Sequence, residues 1–300
     1  MNFLIRWKME SKNRFWLAPM AGYTDRAFRT VCSRFGAGGT VTEMVSAKAL
    51  TYRDEKTREL LTIDDEHRPC FVQLFGSDPE VMAKGAEIAL RLSRADGIDL
   101  NMGCPVGKIV KNGEGSALMR DPELASRIIR AVKNAVDVPV TVKFRAGFGR
   151  EQNAVEFGRM AEASGADGLC VHGRTQSQMY GGESDPGIIR QVKENCRIPV
   201  AASGDAFSTG RCLTLLRETG ADRVMIARGA LGSPWIFEDC LRAEAGLPAE
   251  EPTVKRLVET LRQQLKLVCE TKGDRAVVQM RKHALWYLNQ LAGAKAFKME

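Results

Sequence analysis

No two of the eight cysteines, at positions 32, 70, 104, 170, 196, 212, 240 and 269, form a C-x-x-C pair. That removes the common signature of a zinc or iron–sulfur site, and no metal is expected. No stretch approaches the ~20 consecutive apolar residues of a membrane span. Near the N-terminus, Phe3, Leu4 and Ile5 are followed at once by Arg6, Lys8, Glu10 and Lys12, too little apolar sequence for a signal peptide. These absences predict a cytoplasmic protein without membrane association. A disulfide framework has no place in that compartment, so most of the cysteines are expected to be small core residues. Also lacking after any apolar run are the phosphate-binding patterns G-x-G-x-x-G and G-x-x-x-x-G-K-[ST], which counts against a doubly wound nucleotide fold.

Charge is present but uneven. The chain carries a net +7 over 300 residues. Residues 1–50 hold 8 Lys and Arg against 3 Asp and Glu, and residues 251–300 hold 10 against 5, a balance of +5 at each end. The middle 200 hold 26 against 29. A near-neutral body with two basic ends suits a polyanionic partner, and equally a solvated basic surface.

Eight short apolar runs recur: Phe15–Met20, Thr40–Val45, Cys70–Phe75, Ile98–Met102, Val138–Phe144, Leu169–His172, Ile198–Ala202 and Val224–Ala227. Continuous rather than alternating hydrophobicity marks parallel strands covered on both faces. Helix-period segments separate them: Thr24–Phe35, Asp78–Arg94, Asp121–Val136, Asn153–Ser164, Pro186–Asn195 and Ser208–Thr219. In Asp121–Val136 an Asp N-cap and a Pro at the first helical position precede Leu124, Ile128, Ile129 and Val132 on one face. Eight strand–helix units predict an α/β fold, a (β/α)8 TIM barrel over residues 1–245 that closes near Cys240. A Pro- and Glu-containing linker then leads to a small C-terminal α-helical domain, residues 252–300.

In such a barrel the functional site lies at the C-terminal strand ends. Those ends carry Pro19-Met20-Ala21-Gly22, Glu43, Gln73, Asn101 leading to Cys104, Lys143 with Arg145, His172 with Arg174, Ser203-Gly204-Asp205 and Ala227-Arg228-Gly229. Cys104, between a glycine and a proline, sits where a strand must stop. Gly204, Gly210, Gly229 and Gly232 let backbone N–H groups approach a phosphate, which Arg228 can pair with. Lys143 is open to three uses: a Schiff base, a counter-charge for an anionic ring, or a rim lysine reaching for water. His172 can contact a ligand, act as an acid or sit satisfied in the core.

The runs LAPMAGYTDRAFR from Leu17, QLFGSDPE from Gln73, DLNMGCPVGKIVKNGEGSALMRDP from Asp99, VTVKFRAGF from Val140, VHGRTQSQMYGG from Val171, ARGALGSPWIF from Ala227 and MRKHALWYL from Met280 together resemble the tRNA-dihydrouridine synthases, most closely the bacterial B-type branch. The resemblance covers most of the chain. It implies an FMN-dependent oxidoreductase, driven by NADPH or NADH, that reduces uridines in tRNA to 5,6-dihydrouridine. Hydride goes to C6 of the uracil and a proton to C5. Carried over residue by residue, it implies Cys104 as proton donor; Pro19, Met20, Ala21 and Gln73 against the isoalloxazine; Lys143 at its N1–C2 edge; His172 on FMN; Ser203, Gly204, Asp205, Ala227 and Arg228 around the ribityl chain and phosphate; and Asn101 and Arg174 on the uracil or its phosphate. In the helical domain, Arg281 and Lys282, with His283, Trp286 and Tyr287, are expected to meet RNA, while Val277, Met280, Leu288 and Leu291 pack inward. Two departures accompany the match: the family has Asn where Ser203 stands, and the helical domain is short, as in a shortened chain or a reduced bundle. Gly113 and Gly115 suit the segment after Cys104 to a closing lid. The partner implied is tRNA, with no stable protein partner. Three other readings stay open on the residues alone: a flavin barrel acting on a free pyrimidine, like the dihydroorotate dehydrogenases, a Schiff-base aldolase on Lys143, and an RNA-binding module without catalysis.

Overall fold

The apolar runs become strands of a closed parallel barrel in the computed structural model, which describes residues 13–291 apart from 53, 251 and 252. The strands are β1 (Phe15–Leu17), β2 (Thr40–Val41), β3 (Val45–Ser46), β4 (Cys70–Phe75), β5 (Gly97–Met102), β6 (Val140–Arg145), β7 (Gly168–His172), β8 (Val200–Ser203) and β9 (Arg223–Ile226). β2 pairs with both β1 and β4, and β9 returns to β1, so eight strands form the ring β1-β2-β4-β5-β6-β7-β8-β9. β3 continues the second strand after a break and pairs further along β4. Val41 lies opposite Phe71 and Val45 opposite Leu74. Four steps on one side therefore match three on the other, a bulge that turns Glu43 toward the barrel mouth.

The helices begin where the caps predict. Asp78, Asp121 and Asp185 each accept backbone N–H groups at a helix start, and each is followed by a proline at the first helical position. The helices Arg26–Arg34, Pro79–Ser93, Pro122–Ala135, Ala154–Ala163, Pro186–Asn195, Thr209–Thr219 and Ile236–Glu244 ring the sheet. Outward strand residues such as Ile98, Leu100, Val140, Val142 and Phe144 are wholly buried beneath them. Each such side chain contributes roughly 1.5–3 kcal/mol of apolar burial.

The inward positions form a separate layer. Trp16, Val41, Phe71, Cys170, Ala201 and Met225 fill the barrel's lower half. They leave a void of about 10 Å³, room for one water at most, so the barrel is plugged and not a pore. Arg223, at the start of β9, lies level with this plug with its guanidinium 4.9 Å from the Trp16 ring, while Gln73, Asn101, Lys143, His172 and Ser203 lie toward the C-terminal strand ends.

Two further helices, Val254–Lys272 and Ala276–Leu288, pack against the barrel's first helix through Ala27, Val268, Ala276 and Met280. Met280 faces inward as expected, but Val277 is 61% exposed, because the helix turns its Ala276–Met280–His283–Tyr287 face to the barrel. Among the described residues no helix is long and apolar enough to cross a membrane, and no three His, Cys, Asp or Glu side chains are grouped to hold a metal ion.

Candidate active site

Strand register stacks the inward polar residues in tiers. Gln73 lies opposite Asp99 and Asp99 opposite Thr141; above them Asn101 faces Lys143, and Arg145, His172 and Ser203 follow in line. The period of two along a strand puts Asp99 and Asn101, and likewise Thr141, Lys143 and Arg145, on the same inner face.

One hydrogen-bonded chain runs up this wall to the cysteine. Thr141 Oγ1 donates to Asp99 at 2.6 Å and Gln73 Nε2 donates to its other carboxylate oxygen at 2.7 Å. With its N–H committed, Gln73 accepts from Asn101 Nδ2 at 2.9 Å through its carbonyl. Asn101 Oδ1 in turn accepts from the backbone N–H groups of Gly103 and Cys104, at 3.2 and 2.9 Å. A carboxylate only accepts, so Asp99 fixes which way both amides point. Its burial pushes its carboxyl up to about 6, against hydrogen bonds from Thr141 and Gln73 and the charge of Lys143.

Cys104 is held from several sides. The Ser116 N–H and Oγ both donate to the Cys104 carbonyl, at 3.0 and 2.9 Å. Gly115 (φ +61°) lies so close that a Cβ there would meet that same carbonyl at 2.8 Å. Arg145, itself buried, donates Nε to the Gly103 carbonyl at 2.8 Å and Nη1 to the carbonyls of Thr175 and Met179 at 3.0 and 2.9 Å. The thiol is half-buried and free, and burial raises its pKa above the ordinary value, outweighing the pull of the Val106 N–H, Arg145 and Lys143. At neutral pH it is therefore a thiol rather than a thiolate. Six of the other cysteines are buried and Cys269 is exposed.

The adjoining wall, from the ends of β6 and β7, is cationic. Burial, with Lys143, Arg145, Arg174 and Arg228 around it, drives the His172 pKa far down, so its imidazole is neutral. Lys143 is half-buried, and among the described residues no carboxylate forms an ion pair with it. Ser203 is buried; Gly204 (φ +116°) would bring any Cβ into the Ser184 side chain and His172. Asp205 takes a left-handed φ of +52°, accepts from the Ser184 N–H at 2.8 Å and pairs with Arg174 at 2.7 Å; against the pull of burial, these two hydrogen bonds and the charges of Arg174 and Arg228 hold its carboxyl below the usual range. Arg174 spends further N–H groups on the Gly181 and Gly182 carbonyls and turns Nη1 to His172 at 3.5 Å. Ala227 and Arg228 stand at the start of the turn after β9, where the Arg228 guanidinium lies 4.8 Å from the Phe207 ring and 5.6 Å from the Tyr180 ring.

Pro19, Met20 and Ala21 form the rim after β1, a turn fixed by the Tyr23 and Thr24 N–H groups on the Met20 carbonyl. Lys282 reaches this rim from the C-terminal helix. Its Nζ lies 5.0 Å from the Tyr23 ring and 3.4 Å from where a Cβ on Gly22 would sit, and its charge draws on Glu43, which accepts from the Gly22 N–H. Arg281 is exposed to solvent. His283 and Tyr287 are buried, His283 against Tyr23 and Phe28, and Tyr287 donating to Gln264 at 2.9 Å. They anchor the helix instead of meeting RNA. The expected residues on β4 to β9 thus converge on one mouth, with Lys282 beside it. Strand-end reading passed over Asp99, Ser184 and Tyr180, and left Arg145 and Glu43 without roles. The inner-face parity of Asp99 and Arg145 was the available signal.

Comparison with known proteins accords with this geometry. The family model described as Dihydrouridine synthase (Dus) matches residues 16–300. tRNA-dihydrouridine synthase B of Pseudomonas aeruginosa is 42% identical over 294 residues, covering 96% of this chain and 87% of that protein. The Salmonella typhimurium protein of the same name is 41% identical over 293 residues, covering 96% and 90%. Among solved structures, an old yellow enzyme homologue from Zymomonas mobilis overlays with a TM-score of 0.56 at 13% identity, over 82% of this chain and 92% of that one. The 6-hydroxypseudooxynicotine amine oxidase of Pseudomonas geniculata gives 0.61 at 17%, over 79% and 48%. At those identities the likeness is one of fold. The two B-type relatives match nearly the whole chain, and by that match and the family model the chain belongs to the dihydrouridine synthase family, as a tRNA-modifying oxidoreductase.

Proposed function

We propose that the barrel mouth holds FMN and reduces a uracil of tRNA to 5,6-dihydrouracil, with Cys104 as the acid. The observation that carries this is a half-buried cysteine kept as a thiol beside Lys143 and Arg145. The residues fit a flavin mononucleotide. The left-handed turn through Gly204 (φ +116°) and Asp205 brings bare backbone to the end of β8, Arg228 stands at the following loop, and a half-buried Lys143 with no ion pair among the described residues asks for an anion. Lys143 would face the ring's N1–C2 edge, with Gln73, His172 and the Pro19–Ala21 rim around it, and Ser203 to Asp205, Ala227 and Arg228 around the ribityl phosphate. The chemistry such a flavin would supply here is hydride donation to C6 of the uracil, with NADPH or NADH as the source of electrons.

The protein's own task is the proton and the placement. Addition at C6 builds enolate charge that must be quenched at C5, and Cys104 Sγ gives up its proton there. Solvent returns it. Asn101, its amide orientation set through Gln73 and Asp99, presents a fixed edge to the base. A uridine must leave its stack to reach this depth, so the basic rim carrying Lys282 and Arg281 serves to hold the surrounding RNA. Residues 1–245 form the catalytic unit and 252–300 the tRNA-binding unit in this reading, and the enzyme works beside its tRNA in the cytoplasm. The test is to purify the protein, measure bound FMN and assay dihydrouridine in unmodified tRNA with NADPH. A colourless protein that FMN cannot reconstitute would refute the assignment.

A further inference from the structure

A second cleft opens on the same face, between the loops that follow β5 and β6. It encloses about 620 Å³, and Met119, Arg120, Phe148, Arg150, Glu151 and Asn153 are among its walls. Volumes of roughly 300–1,000 Å³ are the usual range for ligand sites. Both arginines are exposed, and among the described residues neither pairs with a carboxylate. Arg120 lies 5.2 Å above the half-buried Phe148 ring, which holds its guanidinium in place while leaving its edge to solvent. Glu151 is the one carboxylate among the lining residues. The cleft is tied to the active loop, because Asn153 Nδ2 donates to the Met119 carbonyl at 2.8 Å, three residues after the Ser116 that holds Cys104.

Its position in the ring gives it a partner. The C-terminal helices sit beside β1 and β9, through Ala27 on one side and the close approach of Gly232 to Trp286 on the other. β5 and β6 are diametrically opposite in the order of eight strands. Lys282 and the Arg120–Arg150 pair therefore flank the mouth from opposite sides. An RNA whose target base enters the mouth carries its backbone outward in two directions. Resting on the reading of the site given above, we propose that this cleft binds the sugar-phosphate backbone of tRNA on the side of the mouth away from the helical domain, with Arg120 and Arg150 on phosphates and Phe148 as the platform that orients Arg120.

The test uses the full-length holoenzyme and unmodified tRNA. Binding is measured from low to moderate salt for wild type, for Arg120→Gln with Arg150→Gln, and for Arg120→Lys with Arg150→Lys. Each phosphate contact contributes about one unit to the slope of log affinity on log salt. The glutamine pair is expected to lower the slope by about 2 and weaken binding roughly ten-fold at low salt, while the lysine pair keeps the slope. If the glutamine pair binds with unchanged slope while wild type forms dihydrouridine, the cleft proposal is overturned and the reading of the mouth stands. If the slope falls while wild type forms none, the cleft is supported and the reading of the mouth fails. Slower reduction of bound flavin by NADPH, with tRNA binding unchanged, would assign the arginines to the phosphates of the nicotinamide cofactor and overturn the proposal.

Discussion

Cys104 shows how position sets chemistry. A thiol pinned between Asn101, Ser116 and Gly115 and raised by burial is suited to donating a proton, not to attacking carbon. Cys104→Ala is therefore expected to keep the bound flavin spectrum and lose ~10²–10⁴-fold in dihydrouridine formation, the range of a positioned acid. Full turnover in that variant would end the assignment. Asp99, two residues before Asn101, has a different signature. Its folded carboxyl titrates near 6 against an ordinary value of 3.8. The native state thus holds this proton more tightly than the unfolded chain does. Asp99's contribution is greatest below pH 3.8 and is lost as pH rises through about 6, by up to about 3 kcal/mol. Asn can keep both hydrogen bonds, donating to Thr141 and accepting from Gln73. The stability of Asp99→Asn relative to wild type should accordingly rise between pH 4 and 7 in urea titrations. A difference that does not move with pH would mean that Asp99 does not titrate there.

Elements were legible where burial alone decides them. β4 runs over the same residues as its apolar run, and the helix Pro186–Asn195 matches its periodic segment end to end, because both faces of a parallel strand and one face of its covering helix must be apolar. The second strand was not legible as two pieces. Thr40 to Val45 has the composition of one strand, and the break at Thr42–Met44 comes from its match to β4. The active loops were legible only in part for a related reason. Their glycines mark them, but what fastens them is Arg145, whose acceptors Gly103, Thr175 and Met179 are backbone carbonyls with no side-chain signature. Arg145 joins two loops from two strands. Arg145→Met would leave three carbonyls without their donor and should cost roughly 2–4 kcal/mol. Amide exchange should quicken in Cys104–Gly115 and Thr175–Gly182 more than in the strands. Uniform loosening, or none, would show that the clamp is not what orders these loops.

At the scale of the molecule, the basic C-terminal end was legible as a helical module, but its seam with the barrel was not. Charge and aromatics along Arg281–Tyr287 suggested an RNA surface, yet three of the five residues, His283, Trp286 and Tyr287, are spent on the seam, leaving Arg281 exposed and Lys282 bent over Tyr23. The closest part of that seam is backbone against backbone. Gly232 (φ +70°) lies where any Cβ would collide with the Trp286 carbonyl. A methyl there meets main chain that cannot rotate away, and the left-handed φ adds roughly 1 kcal/mol or more of strain. Gly232→Ala should therefore push the last helix off the barrel while the rim of β7 and β8, proposed above to hold the flavin, stays intact. The expected outcome is separable: retained flavin, earlier proteolytic cleavage near residue 250, and tRNA binding weakened because Lys282 no longer reaches the mouth. Loss of flavin in step with loss of tRNA binding would show instead that the β9 loop serves the cofactor directly, and that the seam is not an independent hinge between catalysis and RNA grip.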